Sequence, residues 1–147
     1  MSVAENKDRI RFFVEEVVNA HDLEREREVV VPSILDEALQ HLRQLFDGFP
    51  DIHGTIDDLF GEGDRIVGRI TLSGTHAGPF AGATPTGKRV TWTSIRIWRF
   101  EGGKVAETWA MQDRLGLLTQ LGLIDTPAEP IHWAGSVSAG PKTADQD

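Results

Sequence analysis

The chain reads as an α+β domain in which a curved antiparallel or mixed sheet wraps around about three N-terminal helices and leaves a cone with an apolar pocket. Two observations carry this. Apolar residues recur at helical spacing only in the first fifty positions, and from residue 51 the pattern changes to strand-type alternation divided by Gly-rich turns. A length of 147 residues suits one domain, which can bury a sizeable core without cross-links.

The first helix is expected over residues 4 to 19. Ile10, Phe13, Val14, Val17 and Val18 line one side, and Lys7, Asp8, Arg11, Glu15 and Glu16 the other. Asn19-Ala20-His21-Asp22 ends it. Residues 23 to 30 form a short second helix whose Glu24-Arg25-Glu26-Arg27-Glu28 run reads as a solvated face. Ser33 is the expected N-cap of the third helix, with Asp36 in its first turn and Ile34, Leu35, Ala38, Leu39, Leu42, Leu45 and Phe46 as its apolar stripe. Asp47-Gly48-Phe49-Pro50 stops it.

Strands are expected over residues 52 to 60, 65 to 75, 90 to 100 and 105 to 113. The first two are joined at Gly61-Glu62-Gly63-Asp64 and the last two at Glu101-Gly102-Gly103-Lys104, so each pair makes a hairpin. Residues 74 to 88 contain Gly74, Gly78, Pro79, Gly82, Pro85 and Gly87, which marks a bent connection. Residues 1 to 126 are the expected cone domain. Residues 127 to 147 read as a tail ordered at most locally, with Ile131, His132 and Trp133 available to dock.

Composition narrows the chemistry. With 23 acids against 15 bases the net charge is -8, and no basic cluster occurs, which argues against nucleic acid or an anionic membrane as partner. The first 22 residues lack the apolar core of a signal peptide and no apolar run reaches the ~20 residues of a membrane span, so a soluble cytoplasmic protein is expected. The absence of Cys removes disulfides and thiolate chemistry, and the absence of Tyr removes its hydroxyl as a donor. His21, His41, His53, His76 and His132 have no metal-ligand spacing, and no Gly-rich loop joins a strand to a helix as in phosphate sites, so no metal and no cofactor is expected.

The last strand carries the first candidate. Alternation puts Val105, Glu107, Trp109, Met111 and Asp113 on one face, so Asp113 stands with a Trp and a Met. It is either the N-cap of the segment from Arg114 to Leu121 or an acid whose pKa an apolar pocket raises. Trp109 and Met111 are expected to line that pocket. Trp92 shares a face with Ser94, Arg96 and Trp98, and is either core or a ring and N–H donor for substrate. Arg96, if interior, needs an acid partner or an anionic substrate group.

Several motifs occur in a fixed order: Phe49-Pro50-Asp51, Gly61-Glu62-Gly63-Asp64, Gly74-Thr75-His76-Ala77-Gly78-Pro79-Phe80, Pro85-Thr86-Gly87-Lys88, Gly103 to Trp109, and Asp113 to Gly122. Together they resemble the SnoaL-like polyketide cyclases of the nuclear transport factor 2-like superfamily, from about Asp8 to Gly122. The resemblance implies a cofactor-free intramolecular aldol closure of an aromatic polyketide, with Asp113 as acid/base and His76 as a donor or orienting group. A small aromatic or apolar polyketide is the implied substrate, and a homodimer or homotetramer the implied assembly. A cofactor-independent hydroxylase or a non-catalytic binding module are alternatives on the same scaffold. Between the second and third helices the chain departs from the family, because Val29-Val30-Val31-Pro32-Ser33 replaces a longer segment.

Overall fold

The computed structural model describes residues 1–125, so the expected tail and the docking of Ile131, His132 and Trp133 lie outside the described residues. Helix α1 (Val3–Phe12) starts at a reciprocal cap: Ser2 Oγ accepts from the Glu5 amide at 3.1 Å, and Glu5 Oε2 accepts from the Ser2 amide at 2.7 Å. It passes without a break into a π-helical segment, Phe13–Asn19, where the expected helix continues with a wider turn. Bonds from the Ala20 amide to Glu15 O and from the Asp22 amide to Val17 O close it. Asn19 is thereby delivered to the sheet, where its side-chain amide both accepts from Gly54 N (2.7 Å) and donates to Gly54 O (2.9 Å).

The second expected helix is a 3₁₀ turn, Leu23–Glu28, capped by Asp22, and the third begins with another 3₁₀ turn, Pro32–Ile34, before α2 (Leu35–Gly48). Ser33 is not the N-cap. Pro32 sets the first turn, and the cap position of α2 is Ile34, which has no side chain able to bond the free amides.

Four strands follow as an antiparallel meander, β1 (His53–Glu62), β2 (Arg65–Thr75), β3 (Arg89–Glu101) and β4 (Lys104–Gln112), in the order β1-β2-β3-β4, and α3 (Arg114–Gln120) follows β4. Gly102 and Gly103, at φ 54 and 80, make the β3–β4 hairpin turn, a conformation that side chains disfavour. On its far edge β4 gains a short parallel bridge between Val30 and Val105, closed by Val105 N to Val29 O (2.8 Å) and Val31 N to Val105 O (2.9 Å). This bridge ties the short linker before α2 to the sheet.

Even-numbered residues of β2 and β3 face the helices. Ile66, Ile70, Leu72, Val90, Trp92 and Trp98 bury against Ile10, Val14, Val17, Val18, Leu42 and Phe49. The connection between β2 and β3 is irregular, as expected, but firmly held. Ala77 N and Gly78 N both donate to Gly48 O at the end of α2 (3.1 and 3.2 Å), and Phe80 lies edge-on to Phe49 at 5.0 Å. The narrow end of the cone is thus closed by Phe49, His76, Phe80 and Trp92.

Gly68 pairs with Arg96 on the inner face, and a Cβ built there would stand 2.8 Å from the Trp98 ring. Gly68→Ala is expected to displace Trp98 and lower the unfolding free energy by ~1–3 kcal/mol. Urea titration followed by Trp fluorescence measures it, and an unchanged midpoint would show that the ring has room to move.

Candidate active site

Between α2, the π-helical segment and the inner face of the sheet lies a partly open cavity of about 120 Å³. Its wall is mostly aliphatic, built by Val14, Val18, Val29, Leu42, Ile70 and Leu72, among which Glu26, Ser94, Arg96 and Thr108 supply the polar groups and His41 stands at the edge. Ile34, Ala38, His41 and Thr108 also border a more open hollow of about 350 Å³, completed by Glu37, Ala106, Glu107 and Trp109. Those four shared residues form the mouth.

Glu26 reaches the cavity because of its backbone. A 3₁₀ helix has three residues per turn, so Leu23, Glu26 and Val29 fall in line, and the hydrogen bond from Val29 N to Glu26 O (2.9 Å) holds that spacing. The Glu26 side chain is 3% exposed and its Oε2 has no hydrogen-bond partner among the described residues. Burial pushes its pKa up to about 7, against the opposing pull of Arg96. No hydrogen bond contributes to that pull, which acts through space.

Arg96 stands on the same inner face as Ser94 and Trp98. By surface area it is half-buried, but its guanidinium is enclosed deeply enough that burial pushes its pKa down, with Glu26 acting in the opposite direction. Arg96 lines the cavity. Its Nε reaches Ser94 Oγ at 3.4 Å, a long contact that leaves most of the guanidinium's donors for something else.

The site residues expected from the sequence are not brought together. Arg96 is in the cavity, opposite an acid, as an interior arginine requires. Trp92 is core, with its Nε1 donating to Gln112 Oε1 at 3.1 Å and its ring 5.1 Å from that of Phe49. His76 is fully buried at the narrow end, where Nδ1 accepts from the Thr86 amide at 3.2 Å and contacts Thr86 Oγ1 at 3.0 Å, while Nε2 has no partner.

The expected face of β4 is reversed. Trp109 pairs with Ile97 and Met111 with Ile95 on the outer side of the sheet, where Trp109 is 46% and Met111 80% exposed. They do not desolvate Asp113. Asp113 is exposed at the start of α3, and its Oδ1 accepts from Gly116 N at 2.9 Å, so the capping role is the one its geometry describes. Trp109 does border the outer hollow, 5.4 Å under the guanidinium of Arg65. Ser94, His41 and above all Glu26 are the site residues that sequence reasoning missed. For Glu26 the available signal was the three-residue spacing Leu23, Glu26, Val29 inside a run that otherwise reads as solvent-facing.

A cone of this kind, with a small mouth and a carboxyl and a guanidinium among aliphatic side chains, belongs to the class of scaffolds that enclose a small organic molecule. The chain belongs to the SnoaL-like polyketide cyclase family, whose model matches residues 5–121. It is similar to AclR from Streptomyces galilaeus, a candidate hydroxylase, with 31% identity over 86% of this chain and 87% of that one and a TM-score of 0.78. TsrD from Streptomyces laurentii is 28% identical over 84% and 99% of the two chains, with a TM-score of 0.80. IdmH from Streptomyces antibioticus, a candidate polyketide cyclase, is 27% identical over 80% and 98%, with a TM-score of 0.70. No curated protein matches the chain significantly. Among the described residues no helix is long and apolar enough to cross a membrane.

The raised pKa of Glu26 has a stability consequence. Its folded-state value of about 7 lies above the ordinary 4.5, so the stability it contributes is full below about pH 4.5 and is lost as pH rises through about 7. The loss is on the order of 3 kcal/mol. Wild-type unfolding free energy is expected to fall by that amount between pH 4.5 and 8 relative to Glu26→Gln, measured by urea denaturation across the range; parallel curves would refute the assignment.

Proposed function

We propose that the protein is a cofactor-independent enzyme that closes a ring in a small aromatic or apolar polyketide by intramolecular aldol addition, with a carboxyl of the chain carrying the proton. The observation behind this reading is the partly open aliphatic cavity with an acid and a guanidinium inside it and one bordered mouth. Aldol closure needs a base for the carbon next to a carbonyl and an acid for the new alkoxide, and one carboxyl supplies both in turn. Such proton transfer is worth about 10²- to 10⁴-fold in rate. Membership of the cyclase family supports the substrate class.

The resemblance supplies Asp113 as the carrier and His76 as its helper, and support for that part is sequence alone. Asp113→Asn tests it cleanly, because Asn caps a helix nearly as well as Asp but cannot carry the proton. A hydroxylase is the second reading, favoured by the likeness to AclR. Incubation with aromatic polyketide β-keto ester precursors, followed by mass spectrometry, separates the two: a product of unchanged mass is expected, and the gain of one oxygen would favour the hydroxylase. If Asp113 is the carrier, Asp113→Asn lowers turnover by at least ~10²-fold. Retention of turnover leaves it as the cap of α3.

We also infer that the protein assembles as a homodimer, or as a homotetramer of such pairs, through the outer face of the sheet. Phe60, Val67, Ile97 and Trp109 form one row across all four strands, beside Ile95 and Met111, and Phe60, Ile95, Trp109 and Met111 are exposed. An apolar patch of this kind on a sheet favours burial against a like surface. Met111→Glu is expected to shift the sedimenting species toward the monomer without change in circular dichroism. A wild type that sediments as a monomer would exclude the assembly.

A further inference from the structure

Resting on the reading of a proton-transfer enzyme, we propose that Glu26 and Arg96 are its reacting pair: Glu26 exchanges the proton at the substrate carbon, and Arg96 binds the oxygen that takes up the charge. The pair fits a planar, oxygen-bearing group of about single-ring size.

Three observations carry the assignment. The first is the carboxyl itself. Glu26 is 3% exposed, with Oε2 unbonded among the described residues and set among aliphatic side chains, an arrangement that costs stability when the carboxyl is charged. The second is the guanidinium. Among the described residues the hydrogen bond made by Arg96 is the long one to Ser94 Oγ, so its remaining donors point to an acceptor that enters the cavity. The third is size: a cavity of about 120 Å³ is close to the ~150 Å³ apolar cavity known to accept benzene. A larger substrate keeps its remaining rings in the outer hollow beside Trp109.

The step balances within one molecule. Glu26 carboxylate removes a proton from the carbon next to a carbonyl, the C–H electron pair moves into the enolate, and its oxygen lies on Arg96. The enolate carbon then attacks a second carbonyl carbon of the same molecule, forming one C–C bond. The alkoxide takes the proton back from Glu26. Nothing leaves, and no oxidant or reductant takes part.

Other charges around Glu26 are few. Arg96 faces it from β3, His41 stands at the mouth on α2, and Glu37 of α2 and Glu107 of β4 border only the outer hollow. On its own turn Arg25 is engaged with Glu16 and Glu28, and Arg27 with Glu24. His41 is therefore the group to control for.

The test uses the full chain and benzoate, a one-ring oxyanion charged throughout the range, titrated calorimetrically from pH 6 to 8.5. Wild type is expected to bind benzoate with an affinity that falls up to about tenfold per pH unit above pH 7, as Glu26 ionises beside the anion. Glu26→Gln should bind with an affinity constant within about threefold over that range, and His41→Gln should keep the wild-type slope. Arg96→Met should weaken binding at pH 6 by at least ~30-fold; if it fails to fold, Arg96→Lys, which keeps the charge but loses the planar fork, should still weaken it ~5-fold or more. No saturable binding up to ~10 mM at pH 6, or a wild-type slope in Glu26→Gln, would overturn the pair. In turnover, Glu26→Gln should lower kcat by at least ~10²-fold. Cyclisation that survives this substitution sinks the Glu26 assignment and spares the proposed function. Glu26-linked benzoate binding without any cyclisation supports the pair and sinks the proposed function instead.

Discussion

The feature on which the rest of the structure turns is a carboxyl kept in an aliphatic cavity with only a through-space attraction to hold it. Glu26 lies opposite Arg96, yet the missing partner at Oε2 shows that Arg96 does not repay the desolvation by a direct bond. Which effect wins is visible in the direction of the shift: burial raises the pKa to about 7 although a guanidinium faces it. Much of the local architecture holds this arrangement in place. The 3₁₀ spacing turns Glu26 inward, the Val30–Val105 bridge fixes the following residues to β4, and Gly68 leaves room for Trp98 beside Arg96.

The architecture was legible in the sequence because burial on one face imposes a period. Residues 65 to 75 alternate strictly and form β2 with those bounds, and the two short hairpin turns lie where their glycines are. What periodicity does not contain is helix type. The π-helical continuation of α1 and the 3₁₀ form of residues 23 to 28 depend on contacts made later in the chain, including the clamp of Asn19 on Gly54. The face of β4 failed for a related reason. Alternation separates Trp109 and Met111 from Thr108 and Ala110, but both sets contain apolar residues, and the register shift at Arg99/Phe100 decides which one turns inward. The bulky set went outward, onto the surface where a second copy would cover it.

The family motifs divide between chemistry and construction. The Gly-Thr-His stretch ends in a histidine that packs against Phe49 and Phe80 and organises the bend through Thr86, while Gly78 lets the chain approach the end of α2. Its first service is to close the cone. Likewise Asp113 and Gly116 start α3, whose Leu117 is buried together with the cap residue Leu121. In this chain these motif residues serve construction, so their series identifies the family without assigning a chemical role to any one carboxyl.

The linker before α2 points the same way. Only Val29, Val30 and Val31 separate the 3₁₀ turn from Pro32, and this linker pairs directly with Val105. A connection so short brings the preceding turn against the sheet, and with it the residue three positions before Val29. That residue is Glu26. A longer segment would relax this constraint and could supply its own polar side chain to the cavity wall, so the length of the linker and the position of the carboxyl belong to one solution. In this chain, the short linker and the inward-facing acid are therefore consequences of the same geometry.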